Sequence, residues 1–158
     1  MDVTKTVVDR EHEWLLNRGD RMVALANQVR EDLAAAFETD VEPVTAAQYE
    51  SVVDEVFAAP DRAVNVAALT SLLRTLDVAG DYPGFIIDEY LGRELAAMIA
   101  GDQPLRLLAE ATFHYADVHV HVDGPAGLDD LDAAVAAGVQ TRLPGWEWQR
   151  SGPFERGE

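Results

Sequence analysis

The sequence predicts a mainly α protein, a compact helical bundle of five to six helices with a long N-terminal helix. Apolar residues recur every three to four positions, glycine and proline fall where these periodic segments end, and one segment begins with a helix-capping signature. The 158 residues are 48% hydrophobic, which suffices for one core. We therefore expect a single helical domain over residues 1–143 and an extended aromatic tail over residues 144–158.

The first predicted element is a helix from about residue 4 to residue 37. Its apolar residues recur seven positions apart, at Val8, Leu15, Met22 and Val29. Gly19 and Asp20 interrupt the pattern. Either Gly19 ends one helix and Asp20 caps a second, or a single long helix tolerates the glycine at a cost of about 1 kcal/mol. The apolar seam could pack on its own domain or bind a second helix as a coiled coil.

The second predicted helix has the clearest start in the sequence. Thr45 and Gln48 match a capping box, and Val44 and Tyr49 occupy the two positions of a hydrophobic staple. Valine and phenylalanine then follow at spacings of three and four, and Pro60 ends the helix.

Two further helices are predicted over residues 61–78 and from Pro83 to about Ala100, with a short turn between them. Their lengths and short connection indicate an antiparallel hairpin or a DNA-binding helix-turn-helix. A recognition helix needs basic or amide side chains, whereas the second helix carries Arg93 as its single cation. The sequence therefore argues against nucleic-acid binding.

A fifth helix begins near Asp102, and the sequence leaves its end open. Valine and histidine alternate over residues 118–122, which is typical of a strand. A short helix over residues 128–137, closed by Gly138, would then connect this strand to a second one over residues 139–143. Such an arrangement would form a small βαβ-like appendage after residue 117.

Histidine and aspartate cluster in this same segment, where three of the four histidines of the chain lie within residues 114–121. On a strand, the histidines and aspartates of residues 117–123 share one face. On a helix, the residues that align are Glu110, His114, Asp117 and His121. Because imidazole and carboxylate groups bind Zn, Mn, Fe or Ni, we predict a divalent transition-metal site, although the pattern also suits solvated polar positions. The candidate ligands are Asp117, His119, His121, His114 and Asp123.

Residues 117–121 resemble the Asp-x-His-x-His strand that opens the barrel of metal-dependent amidohydrolases and phosphoesterases. The resemblance covers five residues and implies metal-dependent hydrolysis. In those families the strand begins a far longer barrel that supplies further ligands, whereas residues 122–158 of this chain contain no histidine. The resemblance therefore does not imply the barrel fold.

The predicted tail carries three aromatic residues among glycine and proline: Trp146, Trp148 and Phe154. Aromatic side chains on an extended segment suit a partner-binding surface, because tryptophan is enriched at binding hot spots. The alternative is that the tail folds back and closes the core of its own domain.

The composition is strongly acidic, with 16 Asp and 13 Glu against 11 Arg and a single lysine, Lys5, and a net charge of −17. Such a charge repels itself unless concentrated salt screens it, and the Debye length falls to about 3 Å at 1 M salt. This composition predicts a halophilic cytoplasm. The chain has no cysteine, which excludes disulfides and thiolate metal sites, and no apolar run long enough to predict a membrane span.

Helical surfaces are the best-marked features of the sequence, and no complete catalytic set is evident. We therefore predict a non-enzymatic helical interaction or regulatory module that self-associates through the first helix or the tail, as a homo-oligomer or with a protein partner. The alternative is a metal-binding protein that uses the cluster at residues 114–123, with a metal-dependent hydrolase as one such protein.

Overall fold

The computed structural model describes residues 2–77, 87–120 and 124–146. This part of the chain forms seven helices packed into one bundle, so the prediction of a mainly α helical bundle is confirmed. In chain order the helices are α1 (Lys5–Asn17), α2 (Gly19–Ala36), α3 (Ala46–Ala58), α4 (Pro60–Thr75), α5 (Ile87–Ala100), α6 (Leu105–Asp117) and α7 (Gly127–Arg142). None of the described helices has the length and apolar character needed to cross a membrane.

The described residues form seven helices and not the predicted five to six, because the first segment is not one long helix but two that meet at Arg18, which is the alternative that Gly19 left open. The backbone of Arg18 leaves helical geometry, with φ at −92° and ψ at 11°, and α2 begins at Gly19. The hydroxyl of Tyr49 donates a 2.6 Å hydrogen bond to the carbonyl of Leu15, near the end of α1. This bond satisfies one of the carbonyls that a helix end leaves without a partner in its own helix.

Three of the four residues of the seven-residue seam lie in the core of their own domain, and Val8 is half-buried. Leu15, Met22 and Val29 are each at most 2% exposed. They belong to the same buried cluster as the valines of α3. These seam positions are therefore filled from within the chain, and a second helix has no access to them.

Helix α3 begins as the sequence predicts. The backbone N–H of Gln48 donates to Thr45 Oγ1 at 3.2 Å, and the backbone N–H of Thr45 donates to Gln48 Oε1 at 3.0 Å, which completes the capping box. The staple residues Val44 and Tyr49 are both buried. Pro60 ends α3 as expected and also begins α4, where a helix does not need the N–H that proline lacks.

The predicted βαβ-like appendage is wrong. Residues 118–120 form a turn that ends α6, in which the N–H of Val118 donates to the His114 carbonyl and the N–H of Val120 to the Asp117 carbonyl, both at 3.3 Å. Residues 139–142 belong to α7. Alternating valines favour a strand where another strand can pair with them. Among the described residues, backbone pairing of the strand type is limited to one bridge between Val41 and Trp146.

Helix α7 runs through the centre of the bundle and is buried along most of its length against α2, α4, α5 and α6. It continues past Gly138, where the sequence predicted its end. This glycine does not end the helix and instead packs against α5. A Cβ at position 138 would lie 2.8 Å from the Cβ of Ile99 and 2.9 Å from the carbonyl oxygen of Ala96. The absence of a side chain at Gly138 therefore lets the backbones of α5 and α7 approach closely. The central position of α7 also places several of its polar side chains inside the domain.

Candidate functional site

Three of the five predicted metal ligands lie in the described residues, and they face different neighbours. His114 and Asp117 lie in the last turn of α6, and His119 lies in the turn that follows. The Nε2 atom of His119 hydrogen-bonds to a carboxylate oxygen of Asp32 on α2. Asp117 instead lies near acidic residues at the starts of α5 and α7, with His114 beside it.

The metal site itself stays a prediction. His121 and Asp123 lie outside the described residues. Within residues 2–77, 87–120 and 124–146, no group of three or more histidine or acidic side chains could hold a metal ion. Helical rather than extended backbone at residues 114–117 also removes the strand geometry that would place Asp117 and His119 on one face.

Carboxyl groups from three helices meet near Asp117. Asp130, in the first turn of α7, shares a hydrogen bond with Asp88, in the first turn of α5, and both side chains are buried. Burial, followed by the nearby charges of Asp88 and Asp117, raises the pKa of Asp130 to about 8. Burial, with Glu89 nearby, also raises the pKa of Asp117. Asp130 therefore keeps its proton at neutral pH.

Trp146, the described member of the three predicted partner-binding aromatics, packs against its own domain. Gly145 precedes it with φ at 112°, a conformation that favours glycine, and the Gly145 carbonyl accepts a 3.0 Å hydrogen bond from the N–H of Glu42. The guanidinium of Arg30 lies 5.4 Å from the centre of the Trp146 ring. Trp148 and Phe154 lie outside the described residues, so their part in partner binding stays a prediction.

Arg30 on α2 holds the segment around Trp146 against the end of α7. It is 2% exposed, and its Nη2 donates hydrogen bonds to the carbonyl oxygens of Gln140 at 2.7 Å and Leu143 at 3.0 Å, at the end of α7. Burial lowers the pKa of Arg30 to about 10, which still leaves it charged at neutral pH. A cation at the carboxyl end of a helix is favourable, so Arg30 joins α2 to α7 and supports Trp146.

A cavity of about 270 Å³ lies beside Trp146, between α2, α6 and α7. The described residues that line it are uncharged: Leu33, Phe37, Thr39, Leu108, Thr112, Gln140, Thr141 and Trp146. Phe37 is 70% exposed, which places it at the opening. The polar side of the cavity is a cluster in which Gln140 Nε2 donates to Thr141 Oγ1 at 2.8 Å and to Thr112 Oγ1 at 3.3 Å.

A second concave surface lies between the outer faces of α5 and α6. This α5–α6 groove, of about 410 Å³, is lined by Tyr90, Arg93, Glu94, Leu107, Glu110 and Ala111. Leu107 is 62% exposed and Tyr90 53% exposed. Glu94 pairs with Arg106 at 3.5 Å, whereas neither Arg93 nor Glu110 forms an ion pair with any described residue.

Sequence reasoning missed the residues that give both sites their chemistry. Gln140, Thr112 and Thr141 lie on segments whose ends were misassigned, and their mutual contacts join two different helices. Arg93 was noticed as an isolated cation on its helix, but nothing in the sequence placed Glu110 in the same groove. In the structure, Leu107 and Leu108 are exposed on a helix that buries most of its other apolar residues. The sequence alone does not show that exposure.

The fold and these two sites define a mainly α bundle built around a buried central helix, with an apolar cavity and a surface groove among its described parts. The chain belongs to the family described as a domain of unknown function (DUF7984), which matches residues 1–158. No curated protein and no solved structure matches the chain.

Proposed function

We propose that this protein is a non-enzymatic interaction module of a halophilic cytoplasm and that it self-associates through the α5–α6 groove, with a second copy of the chain as the partner. The observation that carries the proposal is the pair of opposite charges, Arg93 and Glu110, that lines this exposed groove beside Leu107 without an ion pair inside the described chain.

Two large apolar side chains that are exposed, Tyr90 and Leu107, lie together in the α5–α6 groove. They are among the eight large apolar residues that are exposed in the described ranges. Scattered single apolar residues are normal on a surface, but a contiguous group marks an interaction site. Leu107 and Tyr90 lie in one groove, so a partner that covers it buries both together.

Charge complementarity favours a second copy as the occupant. In a two-fold symmetric interface, the same patch faces itself, so each Arg93 can meet the Glu110 of the other copy. Cations are scarce in this chain, and most of the other described arginines already bind carboxylates or backbone carbonyls. An exposed arginine beside Leu107 is also the residue type that interfaces favour.

The acidity of the chain makes this association depend on salt. Two chains of charge −17 repel each other over long distances when the ionic strength is low. At 1 M salt the Debye length is about 3 Å, so the repulsion is screened while the apolar burial that drives association persists. We therefore expect a dimer that forms in molar salt and dissociates as the salt is diluted.

Sedimentation equilibrium of Leu107→Glu in molar salt tests the proposed interface. A glutamate in the groove adds a like charge to a surface that must desolvate, so we expect at least a tenfold weaker dimer, equivalent to about 1.4 kcal/mol. Leu72→Glu is the matched control, because Leu72 is 38% exposed on α4, away from the groove. Equal effects of the two substitutions would show that the groove is not the interface.

A further inference from the structure

The cavity between α2, α6 and α7 has the construction of a small-molecule site. Its walls are formed by Leu33, Phe37, Leu108 and Trp146, and none of the described residues that line it is charged. Its volume of about 270 Å³ exceeds the roughly 150 Å³ in which an apolar protein cavity holds benzene. The exposure of Phe37 gives the cavity an opening to solvent.

One polar atom in the lining has no partner. Gln140 is completely buried, and its Nε2 already donates to Thr112 and Thr141. Its Oε1 is buried and accepts no hydrogen bond from the described part of the protein. Since a buried acceptor without a donor costs free energy, this atom favours a ligand that supplies a donor.

We propose that this cavity binds an uncharged small molecule with an apolar body and one hydroxyl group, and that the hydroxyl hydrogen-bonds to the Gln140 carboxamide. This site is independent of the α5–α6 groove. The apolar walls hold the body of the ligand, and the described lining residues offer no charge to pair with a phosphorylated or carboxylate compound.

A hydroxyl fits better than any other single polar group. A carboxamide can turn by 180° about its last bond, and its oxygen then accepts from a threonine hydroxyl while its nitrogen is left without an acceptor. Either orientation leaves one carboxamide atom of Gln140 without a partner. A hydroxyl both donates and accepts a hydrogen bond, so it satisfies the carboxamide in both orientations.

Methyl NMR of the full chain in molar salt tests this assignment with two probes of nearly the same shape, benzyl alcohol and ethylbenzene. We expect both to shift the methyl signals of Leu33 and Leu108 saturably, because both probes bring an apolar ring to the walls. The methyl signals of Leu15, in the core near α3, are the internal control and should not move. If neither probe gives a saturable shift, Gln140 is satisfied by solvent water alone and the proposal is overturned.

Gln140→Leu tests the role of the carboxamide. This substitution keeps an apolar side chain in the wall and removes the unpartnered atom, so the fold should persist, as thermal unfolding would verify. We expect the affinity for benzyl alcohol to fall about tenfold relative to the affinity for ethylbenzene. Equal changes for the two probes would overturn the hydroxyl assignment.

Thr70→Val is the matched control, because Thr70 Oγ1 on α4 is also buried without a hydrogen-bond partner but does not line the cavity. It should leave the affinity for both probes unchanged. A loss of alcohol affinity in this variant equal to that in Gln140→Leu would show that the effect is not local to the cavity and would contradict the proposal.

Discussion

Arg18, at the break between α1 and α2, binds both carboxylate oxygens of Asp132 on the central helix α7. Its Nε donates to Asp132 Oδ1 at 2.9 Å, and its Nη2 donates to Oδ2. Asp132 is 1% exposed, and its burial raises its pKa while Arg18 opposes that shift. The helix break therefore falls where an arginine must reach an acidic residue in the core.

Removing this arginine should destabilise the fold strongly. Arg18→Ala leaves the Asp132 carboxylate buried without its bidentate partner, and we expect the free energy of unfolding to fall by about 3 kcal/mol. Arg21→Ala is the control, because Arg21 lies 3.5 Å from the same carboxylate but its side chain is 51% exposed. Its loss should cost less than about 1 kcal/mol. Denaturant unfolding in molar salt measures both, and similar losses would contradict this assignment.

Asp130 should make the free energy of unfolding fall as the pH rises, which is opposite to the effect of a carboxylate that is paired in the folded state. Because its pKa is raised from 3.8 to about 8, the folded protein holds a proton that the unfolded chain releases. Its stabilising contribution is complete below pH 3.8 and is lost as the pH rises through about 8. Between pH 5 and 9 we expect a decrease on the order of 1–3 kcal/mol, because a change of one pKa unit corresponds to about 1.4 kcal/mol and the neighbouring carboxyl groups share the titration.

Asp130→Asn should remove most of that decrease, since an amide keeps a donor for Asp88 and does not ionise. Asp61→Asn, at an exposed position on α4, should leave the slope unchanged. Chemical unfolding at a series of pH values gives the comparison. If Asp130→Asn loses as much stability as the wild type over this range, the carboxyl cluster does not carry the effect.

Gly138 should not tolerate a methyl group. Gly138→Ala would place a Cβ within 3 Å of Ile99 and of the Ala96 carbonyl, so α5 and α7 must move apart. We expect a net loss of about 1–3 kcal/mol in the free energy of unfolding, even though alanine favours a helix. Gly19→Ala is the matched control, because its nearest contact would be Tyr49 at 3.7 Å. A stable Gly138→Ala variant would contradict the close packing of these helices.

The histidine cluster can be tested by metal analysis of protein purified in molar salt without a chelator. His119 is bound to Asp32, away from the acidic neighbours of Asp117, so we expect substoichiometric transition metal. His119→Ala should leave that content unchanged. Stoichiometric metal that is lost in a His119→Ala/His121→Ala double variant would instead support the metal-binding alternative.

Local signals predicted those parts of the fold that depend on a few neighbouring residues. The capping box at Thr45 and Gln48 is such a case, because its hydrogen bonds span three residues of one segment. Gly19 marked the possible break between α1 and α2, whereas the ion pair of Arg18 with Asp132 joins residues more than a hundred positions apart, and Gly138 packs on Ile99 of another helix. Such long-range contacts leave no periodic pattern in the sequence.

The candidate sites could not be predicted from the sequence for the same reason. Histidine drew attention because it is rare in this chain, whereas the cavity is built from Gln140 and two threonines whose significance appears only when α6 and α7 meet. The aromatic tail was predicted from composition, and Trp146 does lie beside the cavity, packed on its own domain. Burial, rather than residue type, distinguishes these groups from the many other polar residues.

The central claim, self-association, is tested most directly by the molar mass of the wild-type protein from light scattering in molar salt over a series of protein concentrations. The chain has a mass of 17.3 kDa. We predict a weight-average mass that rises towards twice this value with protein concentration and falls back when the salt is diluted. A mass that stays at 17.3 kDa at every protein concentration in molar salt would contradict the proposal.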